Sequence, residues 1–299
     1  MSVLASTWID ATRRQLLGGY TELRNKTSAV YNPGDGTLNL TYDATNIQAG
    51  TILSAGLNVF YVYAISGQIA TVDGGQLGST DIAVPSGTIV RVNPKFTDWD
   101  IWQELANDLN DLSGMGIVGY NTSDVIYSAV LTGYDLGTTA ASNLLDIYEV
   151  KYLTPGPRKD MPRLPRSGWR MTRNAYTTDI PSGLGIQIIH PSSQNVPNYL
   201  VRVVWKSLLI APATLTTDLA TTGLQTSAYD LPPLGAAINL MAGREVQRNF
   251  TQGQGDVRRA TEVPPGAVMA SANGLKQKRL QRISTELARL ASMYPITMD

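Results

Sequence analysis

Residues 97–113 read Thr-Asp-Trp-Asp-Ile-Trp-Gln-Glu-Leu-Ala-Asn-Asp-Leu-Asn-Asp-Leu-Ser, and they divide a chain of 299 residues into two β-rich parts. Thr97 stands three residues before Asp100, a spacing typical of a capping box at the start of a helix. Apolar residues then recur on one helical face, and acidic residues occupy the other. The stretch therefore predicts an acidic amphipathic helix that ends near Gly114. Its apolar residues are Ile101, Trp102, Leu105, Leu109 and Leu112, and its acidic residues are Asp98, Asp100, Glu104, Asp108 and Asp111.

The sequence on both sides of this helix favours β-structure. Residues 57–65 are rich in aromatic and β-branched side chains, and Ser66-Gly67 turns them towards 68–73 as a hairpin partner. With strands at 37–42 and 88–93, this part predicts a small antiparallel barrel or sandwich. The spacing after the helix is typical of a larger sandwich of the jelly-roll or Greek-key kind. Its expected strands are 125–127, 129–131, 144–153, 169–173, 185–189 and 199–210.

Both ends of the chain are predicted to be helical. Thr7 can cap an N-terminal helix, and Asp230 followed by Pro232 marks the start of a C-terminal one. A last helix is expected from about residue 271 to 294. It carries apolar residues in steps of three and four, like a coiled-coil seam, so a neighbouring helix or a partner is expected to cover them. These seam residues are Leu280, Ile283, Leu287 and Leu290.

The predicted fold class is α+β. The N-terminal helix, the acidic helix and the C-terminal helices form a bundle, which carries a small β-barrel or sandwich and a larger inserted antiparallel β-sandwich. The predicted division is 1–28 for the N-terminal helix, 29–96 for the small β-domain, 97–114 for the acidic helix, 115–212 for the β-sandwich insert, 213–229 for a linker and 230–299 for the C-terminal helices.

The composition excludes several kinds of chemistry. The chain has no cysteine, which removes disulfides, Cys-ligated zinc, iron–sulfur clusters and thiol nucleophiles. Its 24 basic residues balance 24 acidic ones, so no strong field attracts nucleic acid. We expect no signal peptide and no membrane helix. A chain with only 16% charged residues and much Thr and Gly is more typical of a structural protein than of an enzyme. No metal or cofactor is expected.

An enzymatic hypothesis would have to use His190, the single histidine. No Gly-x-Ser-x-Gly elbow precedes it, so we interpret it as a histidine at the end of a strand. Paired carboxylates, as in glycosidases, occur at Asp98/Asp100 and Asp108/Asp111. Each pair lies on the polar face of one helix, where solvent or a partner surface is the usual neighbour. The glycines at 74–75 and 114–116 match neither phosphate-binding motif and are interpreted as turns.

The sharpest cluster of charge lies in and after a Pro/Arg-rich loop. It is either a surface for DNA phosphates or an acidic partner, or a solvated loop held by its prolines. The candidate contact residues are Arg158, Lys159, Arg163, Arg166, Arg170 and Arg173.

The helices offer a second set of charges. An acidic face and basic faces in one chain predict self-association in a ring, where the acidic residues of one copy meet the basic residues of its neighbour. The alternative is a solvent-exposed face that binds no partner. The candidate portal or subunit contacts are Asp98, Glu104, Asp108, Arg244, Arg248, Arg279, Arg282, Leu280, Ile283, Leu287 and Leu290.

Two stretches carry a resemblance to a known family. The first runs from Asn32-Pro-Gly-Asp-Gly-Thr-Leu-Asn-Leu-Thr-Tyr42 through Val72-Asp-Gly-Gly-Gln-Leu-Gly-Ser-Thr80 to Gly87-Thr-Ile-Val-Arg-Val-Asn-Pro-Lys-Phe96. The second runs from Leu231-Pro-Pro-Leu-Gly-Ala-Ala-Ile-Asn-Leu-Met-Ala-Gly-Arg-Glu245 to Arg258-Arg-Ala-Thr-Glu-Val-Pro-Pro-Gly266. Both resemble head-to-tail connector (neck or adaptor) proteins of tailed-bacteriophage virions, and together they cover about a third of the chain.

The resemblance implies a noncatalytic protein that forms a dodecameric ring beneath the portal, with its helical bundle against the portal and a channel that DNA traverses. The implied partners are further copies of the chain, the portal protein, the next neck or tail protein and the viral DNA, with no membrane. The implied location is the neck of the virion, after assembly in the host cytoplasm. The C-terminal segment of such adaptors often inserts into the portal.

The β-insert at 116–212 departs from the small all-helical adaptors of this family. It leaves room for another function, a virion binding module that recognises a fibre, the capsid or a surface glycan. Trp169, Tyr176 and Tyr199 would then form an exposed stacking platform. Another tail-completion protein is a further alternative.

Overall fold

The structure, a computed structural model, describes residues 2–17, 22–128, 133–153, 163–189, 200–252 and 267–295. It describes the backbone alone at residues 17, 138, 139, 141, 153, 243–252 and 267–269. The chain divides into two compact units. The first unit contains residues 1–111, 211–221 and 226–285, and the second contains residues 112–210, 222–225 and 286–299. Helices and antiparallel sheets occur together, which confirms the α+β class.

The described residues contain five α-helices; four of them were predicted, and the short one at 138–143 was not. The α-helices are α1 (Ser6–Leu17), α2 (Asp98–Gly114), α3 (Thr138–Asn143), α4 (Leu231–Gln252) and α5 (Ala267–Met293). The capping box of α2 is confirmed. The backbone N–H of Asp100 donates to Thr97 Oγ1 at 3.0 Å, and the backbone N–H of Thr97 donates to an Asp100 carboxylate oxygen at 3.0 Å.

The first unit contains a six-stranded antiparallel sheet in the order β1-β6-β3-β4-β5-β2. Its strands are β1 (Arg24–Lys26), β2 (Thr37–Asn39), β3 (Ile52–Ala55), β4 (Asn58–Ser66), β5 (Ile69–Asp73) and β6 (Ile89–Val92). The sheet curls until its edges meet. Ser28 N–H donates to Asn39 O at 2.9 Å, and Thr41 N–H donates to Lys26 O at 2.8 Å. The edge strands are therefore bonded to each other, as the expected small barrel requires.

Side chains that alternate along these strands fill the inside of the sheet. In β5, for example, Ala70 and Val72 are buried while their neighbours along the strand are exposed. Tyr31 packs its ring edge-on against Phe60, with centroids 4.9 Å apart, at the centre of this cluster. The alternation of apolar and polar residues that predicted the strands is thus the same alternation that places apolar side chains in the core.

The second unit holds two antiparallel sheets of three strands each, in the orders β7-β12-β9 and β10-β11-β8. The strands are β7 (Gly119–Ile126), β8 (Gly133–Asp135), β9 (Leu144–Leu153), β10 (Trp169–Arg173), β11 (Leu184–Ile188) and β12 (Leu200–Ser207). Both sheets contribute to one apolar cluster, for example through Val203 of β12 and Ile186 of β11. Two sheets around a shared core agree with the expected sandwich.

Several short elements were missed. Strands β1, β3 and β8 have three or four residues each, too few for a clear alternation. Strand β7 begins at Gly119, earlier than expected, because its polar side chains are half-exposed or exposed and give no apolar signal. The expected strand at 129–131 lies outside the described residues.

A buried network of charges joins α1 to the start of α2 and to β6, and it corrects one prediction. Asp98 was expected on an exposed polar face, but it is 4% exposed. One carboxylate oxygen accepts bonds from Arg13 Nη2 at 2.7 Å and Nε at 2.9 Å, and the other accepts from Arg91 Nη1 at 2.7 Å. Glu22 completes the network at 2.9 Å from Arg13. Asp98 thus holds the fold together internally.

We expect Asp98→Asn to destabilise the first unit by about 3 kcal/mol, because it removes the carboxylate that bonds two buried guanidinium groups and leaves them only Glu22, 2.9 Å from Arg13 and 3.4 Å from Arg91. Asp10→Asn is the matched control. Asp10 lies 4.0 Å from Arg91 at the edge of the same network but its side chain is 67% exposed, so its loss should cost less than about 1 kcal/mol. Urea unfolding of both variants measures the difference. Equal effects would show that the network does not stabilise the fold.

Candidate protein-binding site

Three helices of the first unit meet at one carboxylate, that of Asp108 in the third turn of α2. Asp108 is 1% exposed, and Arg279 of α5 donates from Nη2 to its Oδ1 at 2.6 Å. Gly235 of α4 packs directly on the carboxylate, since a Cβ added to this glycine would lie 1.7 Å from Oδ1. The α4 backbone can approach this closely only because residue 235 has no side chain.

A second contact holds α5 in the first unit. Arg282 donates from Nε to one carboxylate oxygen of Asp230 at 2.8 Å and from Nη2 to the other at 2.9 Å. Its Nη2 also donates to Ser227 O at 2.7 Å. On α2, Glu104 accepts a bond from the side-chain amide of Asn239 of α4 at 3.0 Å.

These contacts change the predicted role of the charged helix faces. Asp108 was expected on a polar surface that meets a neighbouring copy, and that placement is wrong. The acidic helix finds its basic partner, Arg279, within its own chain, because burial makes an unpaired carboxylate costly. The side chains of Arg244 and Arg248 lie outside the described residues.

The apolar seam of α5 is also covered in part by this chain. Ile283 and Leu290 are 5% and 4% exposed. In the second unit, Leu287 is half-buried and lies close to Gly116, where an added Cβ would be 3.6 Å from its Cδ2. Leu280 remains 45% exposed. The chain itself therefore covers the seam at Ile283 and Leu290, which is one of the two expected outcomes, whereas Leu280 stays exposed in a single copy.

The end of α5 is fixed in the second unit by tyrosines. Tyr294 stacks on Tyr120 with ring centroids 3.5 Å apart, and Tyr148 lies edge-on to both rings. The Tyr148 hydroxyl donates to Pro295 O at 2.9 Å.

An apolar cleft opens in the first unit beside α2. It has a volume of about 580 Å³, within the range of ligand and peptide sites. Trp99 and Trp102 of α2 line it, and none of the described residues that form its wall is charged. The other lining residues are Ala55, Gly56, Leu57, Thr80, Ile82, Ala83, Val84, Pro85, Thr88, Ala213, Thr214, Leu215 and Thr216.

The wall formed by residues 213–216 comes from the segment expected to be a linker. It is anchored to the start of α1, where Ser6 N–H donates to Leu215 O at 3.0 Å and Ala5 N–H donates to Thr217 O at 2.9 Å. Neither this cleft nor the role of Trp99 was predicted from the sequence. The available signal was the spacing of Trp99 and Trp102, which places both rings on one side of the helix.

The described part of the basic cluster is partly neutralised within the second unit. Arg163 Nε lies 2.8 Å from a Glu149 carboxylate oxygen, and Arg166 Nη2 lies 3.6 Å from Asp146. Arg173 donates to the backbone oxygens of Leu144 and Leu145. Arg170 is exposed on β10. Arg158 and Lys159 lie outside the described residues.

The proposed stacking platform loses its central residue. Trp169 is 6% exposed, and the Arg166 guanidinium lies 4.1 Å from its ring centroid. Its ring belongs to the core of the second unit, so the prediction of an exposed Trp169 is wrong. Tyr176 is 76% exposed. Tyr199 and His190 lie outside the described residues.

The described residues contain no group of three or more His, Cys, Asp or Glu side chains that could hold a metal ion. Within the same part of the chain, every helix is too short or too polar to cross a bilayer. No model of a known protein family matches the chain, and no curated protein matches it. The resemblance to phage connectors rests on the residues quoted above.

We expect Gly235→Ala to destabilise the protein, although alanine normally favours a helix over glycine by roughly 0.5–1 kcal/mol. The added Cβ would overlap the Asp108 carboxylate and separate α4 from α2. Gly274→Ala in α5 is the matched control, because a Cβ there meets nothing within 4 Å, and it should stabilise. Thermal unfolding measures the melting temperature of both variants. A shift of the two melting temperatures in the same direction would contradict the close contact between Gly235 and Asp108.

The protein's stability should also depend on the protonation of Asp108. Burial raises the pKa of Asp108 from 3.8 to about 7, although Arg279 opposes the shift and Asp111 and Glu104 add to it. The folded chain therefore binds this proton more tightly than the unfolded chain does, and this group's contribution to stability rises as the pH falls from 8 to 5.

Asp108→Asn removes this titration. Relative to that variant, the free energy of unfolding of the wild type should increase by on the order of 2 kcal/mol between pH 8 and pH 5. Urea unfolding of both proteins at each pH gives the comparison. A constant difference between them would show that Asp108 stays ionised throughout this range.

Proposed function

We propose that the chain is a structural virion protein of a tailed bacteriophage, which joins the capsid portal to the tail as a ring-shaped neck or adaptor around a DNA channel. The observation that carries the proposal is the open apolar cleft beside α2. It lies in the first unit, to which the described residues of both connector-like stretches belong.

The chemistry of the cleft favours a protein partner. Tryptophan is among the residues most enriched at the energetic centres of protein interfaces, because its large ring buries much apolar surface at low entropic cost. Trp99 is half-buried and so keeps part of its ring accessible in one copy. An uncharged, threonine-flanked wall suits an apolar side chain of another chain better than a charged metabolite or DNA.

The ion pairs of the helices support a particular kind of ring. Asp108, Arg279 and Arg282, three of the charged residues expected to join neighbouring copies, already form ion pairs within one copy, Arg282 with Asp230. The contacts between subunits are therefore proposed to be mainly apolar. The helices α1, α2, α4 and the first part of α5 supply the bundle that the proposal places against the portal.

The basic cluster fits a channel through which DNA passes without being held. Of its described arginines, Arg163 and Arg166 face carboxylates, which weakens the attraction for phosphates. Loose contact is what a conduit requires, since strong binding would slow DNA movement. No enzymatic activity and no cofactor form part of this proposal.

The test is the native mass of the purified protein, with negative-stain images of the same sample. We expect a closed ring with a central channel that persists when salt is raised from about 0.1 M to about 1 M, because apolar contacts are not screened. A ring that dissociates in high salt would contradict the apolar contact. A monomer at the highest soluble concentration in both salts would overturn the ring.

A further inference from the structure

Leu77 is the most unusual apolar residue on the surface of the first unit. It lies in a turn between β5 and β6, and it is 62% exposed. Its backbone is left-handed, with φ 53° and ψ 33°. Three non-glycine residues of the described chain have positive φ, and the other two are Asn93 and Asn174. Asparagine tolerates this region, whereas leucine is strained there.

The turn that carries Leu77 is held rigidly by side chains beneath it. Asn58, which is 0% exposed, accepts a bond from Gly75 N–H at 3.1 Å and donates to Asp81 Oδ1 at 2.8 Å. The Tyr31 hydroxyl donates to the same carboxylate at 3.1 Å. Burial and Asp81 raise the pKa of Tyr31 to about 12, so this bond persists across the physiological range. The turn therefore presents Leu77 in a fixed position.

Most of the Leu77 side chain makes no contact with the described residues, since 62% of it is exposed. The side chain faces solvent, and an asparagine or glycine would fit the backbone better. A strained residue persists when the surrounding structure enforces it, and such residues cluster at functional sites. The exposed leucine is therefore best explained by a contact outside its own copy.

The cleft beside α2 and the turn that carries Leu77 are both uncharged. The turn segment 74–80 reads Gly-Gly-Gln-Leu-Gly-Ser-Thr and contains no charged residue. The described wall of the cleft contains none either and is mostly apolar. A neutral apolar projection and a neutral apolar cleft complement each other, because no charge has to be desolvated when they meet.

We propose that Leu77 of one copy inserts into the cleft lined by Trp99 and Trp102 in a second copy. The inference deepens the proposed ring and rests on it. Leu77 does not line the cleft of its own copy, although Thr80 of the same turn does, so each copy can give one contact and receive another. A contact of this kind repeats from copy to copy and closes into a ring when the rotation allows.

The first experiment compares Leu77→Asn with the wild type by two measurements. The melting temperature of the monomer should rise, because asparagine relieves the left-handed strain. The association constant, from sedimentation over a concentration series, should fall about tenfold or more, because an apolar contact is lost. A merely structural residue would not move the two quantities in opposite directions.

Two variants serve as controls for this measurement. Leu77→Met keeps the apolar projection and should associate like the wild type. Ile69→Thr removes another exposed apolar side chain, 48% exposed on β5, and should leave association unchanged. Unchanged association of Leu77→Asn, or an equal loss with Ile69→Thr, would overturn the inference.

The second experiment uses the absence of native cysteine. Leu77→Cys protein is mixed with a size-tagged Ala213→Cys protein, whose new thiol lies in the cleft wall, and a short bismaleimide is added. We expect a covalent heterodimer from the mixture and none when Ala213→Cys is replaced by Thr71→Cys, an exposed position on β5. No heterodimer from the first mixture would overturn the inference.

The double variant, with Leu77→Cys and Ala213→Cys in one chain, separates this inference from the ring itself. A ladder of products beyond the dimer supports both. Dimers alone support the Leu77 contact and contradict the ring. Rings in the images that form without any cross-link overturn the contact and leave the proposed function standing.

Discussion

The burial of carboxylates on one helix is the constraint on which the first unit depends. Asp98 and Asp108 both leave water when α2 packs, and each then requires a guanidinium within bonding distance. Asp98 draws Arg13 of α1 and Arg91 of β6 to the start of the helix. Asp108, in the third turn of α2, pairs with Arg279 of α5, and α4 can pack against this carboxylate only where Gly235 lacks a side chain. One acidic helix thereby sets the positions of elements from four separate parts of the sequence.

Much of the fold is readable from the sequence because local physics dominates there. The period of α2, its capping box and the alternation of β4 and β5 each arise from contacts within a few residues. The strands β9 and β10 were predicted with their full bounds for the same reason. Very short strands such as β1 and β8 escape this approach, since they become strands only when a distant partner supplies their hydrogen bonds.

The candidate site was much less predictable. The acidic face of α2 has the sequence pattern of a solvent-exposed helix face. The sequence alone does not show which of its carboxylates will pair with a distant arginine, and Arg279 lies 171 residues from Asp108. The role of Gly235 is invisible without the carboxylate opposite it. Leu77 carries no sequence signal for its left-handed backbone beyond the nearby Gly75 and Gly78, and Asn58, which bonds the start of the turn at Gly75, lies 17 residues earlier in the chain.

The discontinuity of the first unit has a consequence for the chain as it leaves the ribosome. The barrel and α2 are synthesised early, but Asp108 obtains its partner only when α5 has been made, near the end of the chain. Until then the nascent first unit contains an unpaired carboxylate and an incomplete helix junction, while the second unit is synthesised almost entirely in between. Completion of the first unit therefore waits for the synthesis of α5, and a chain that stops before α5 lacks the bond between Arg279 and Asp108.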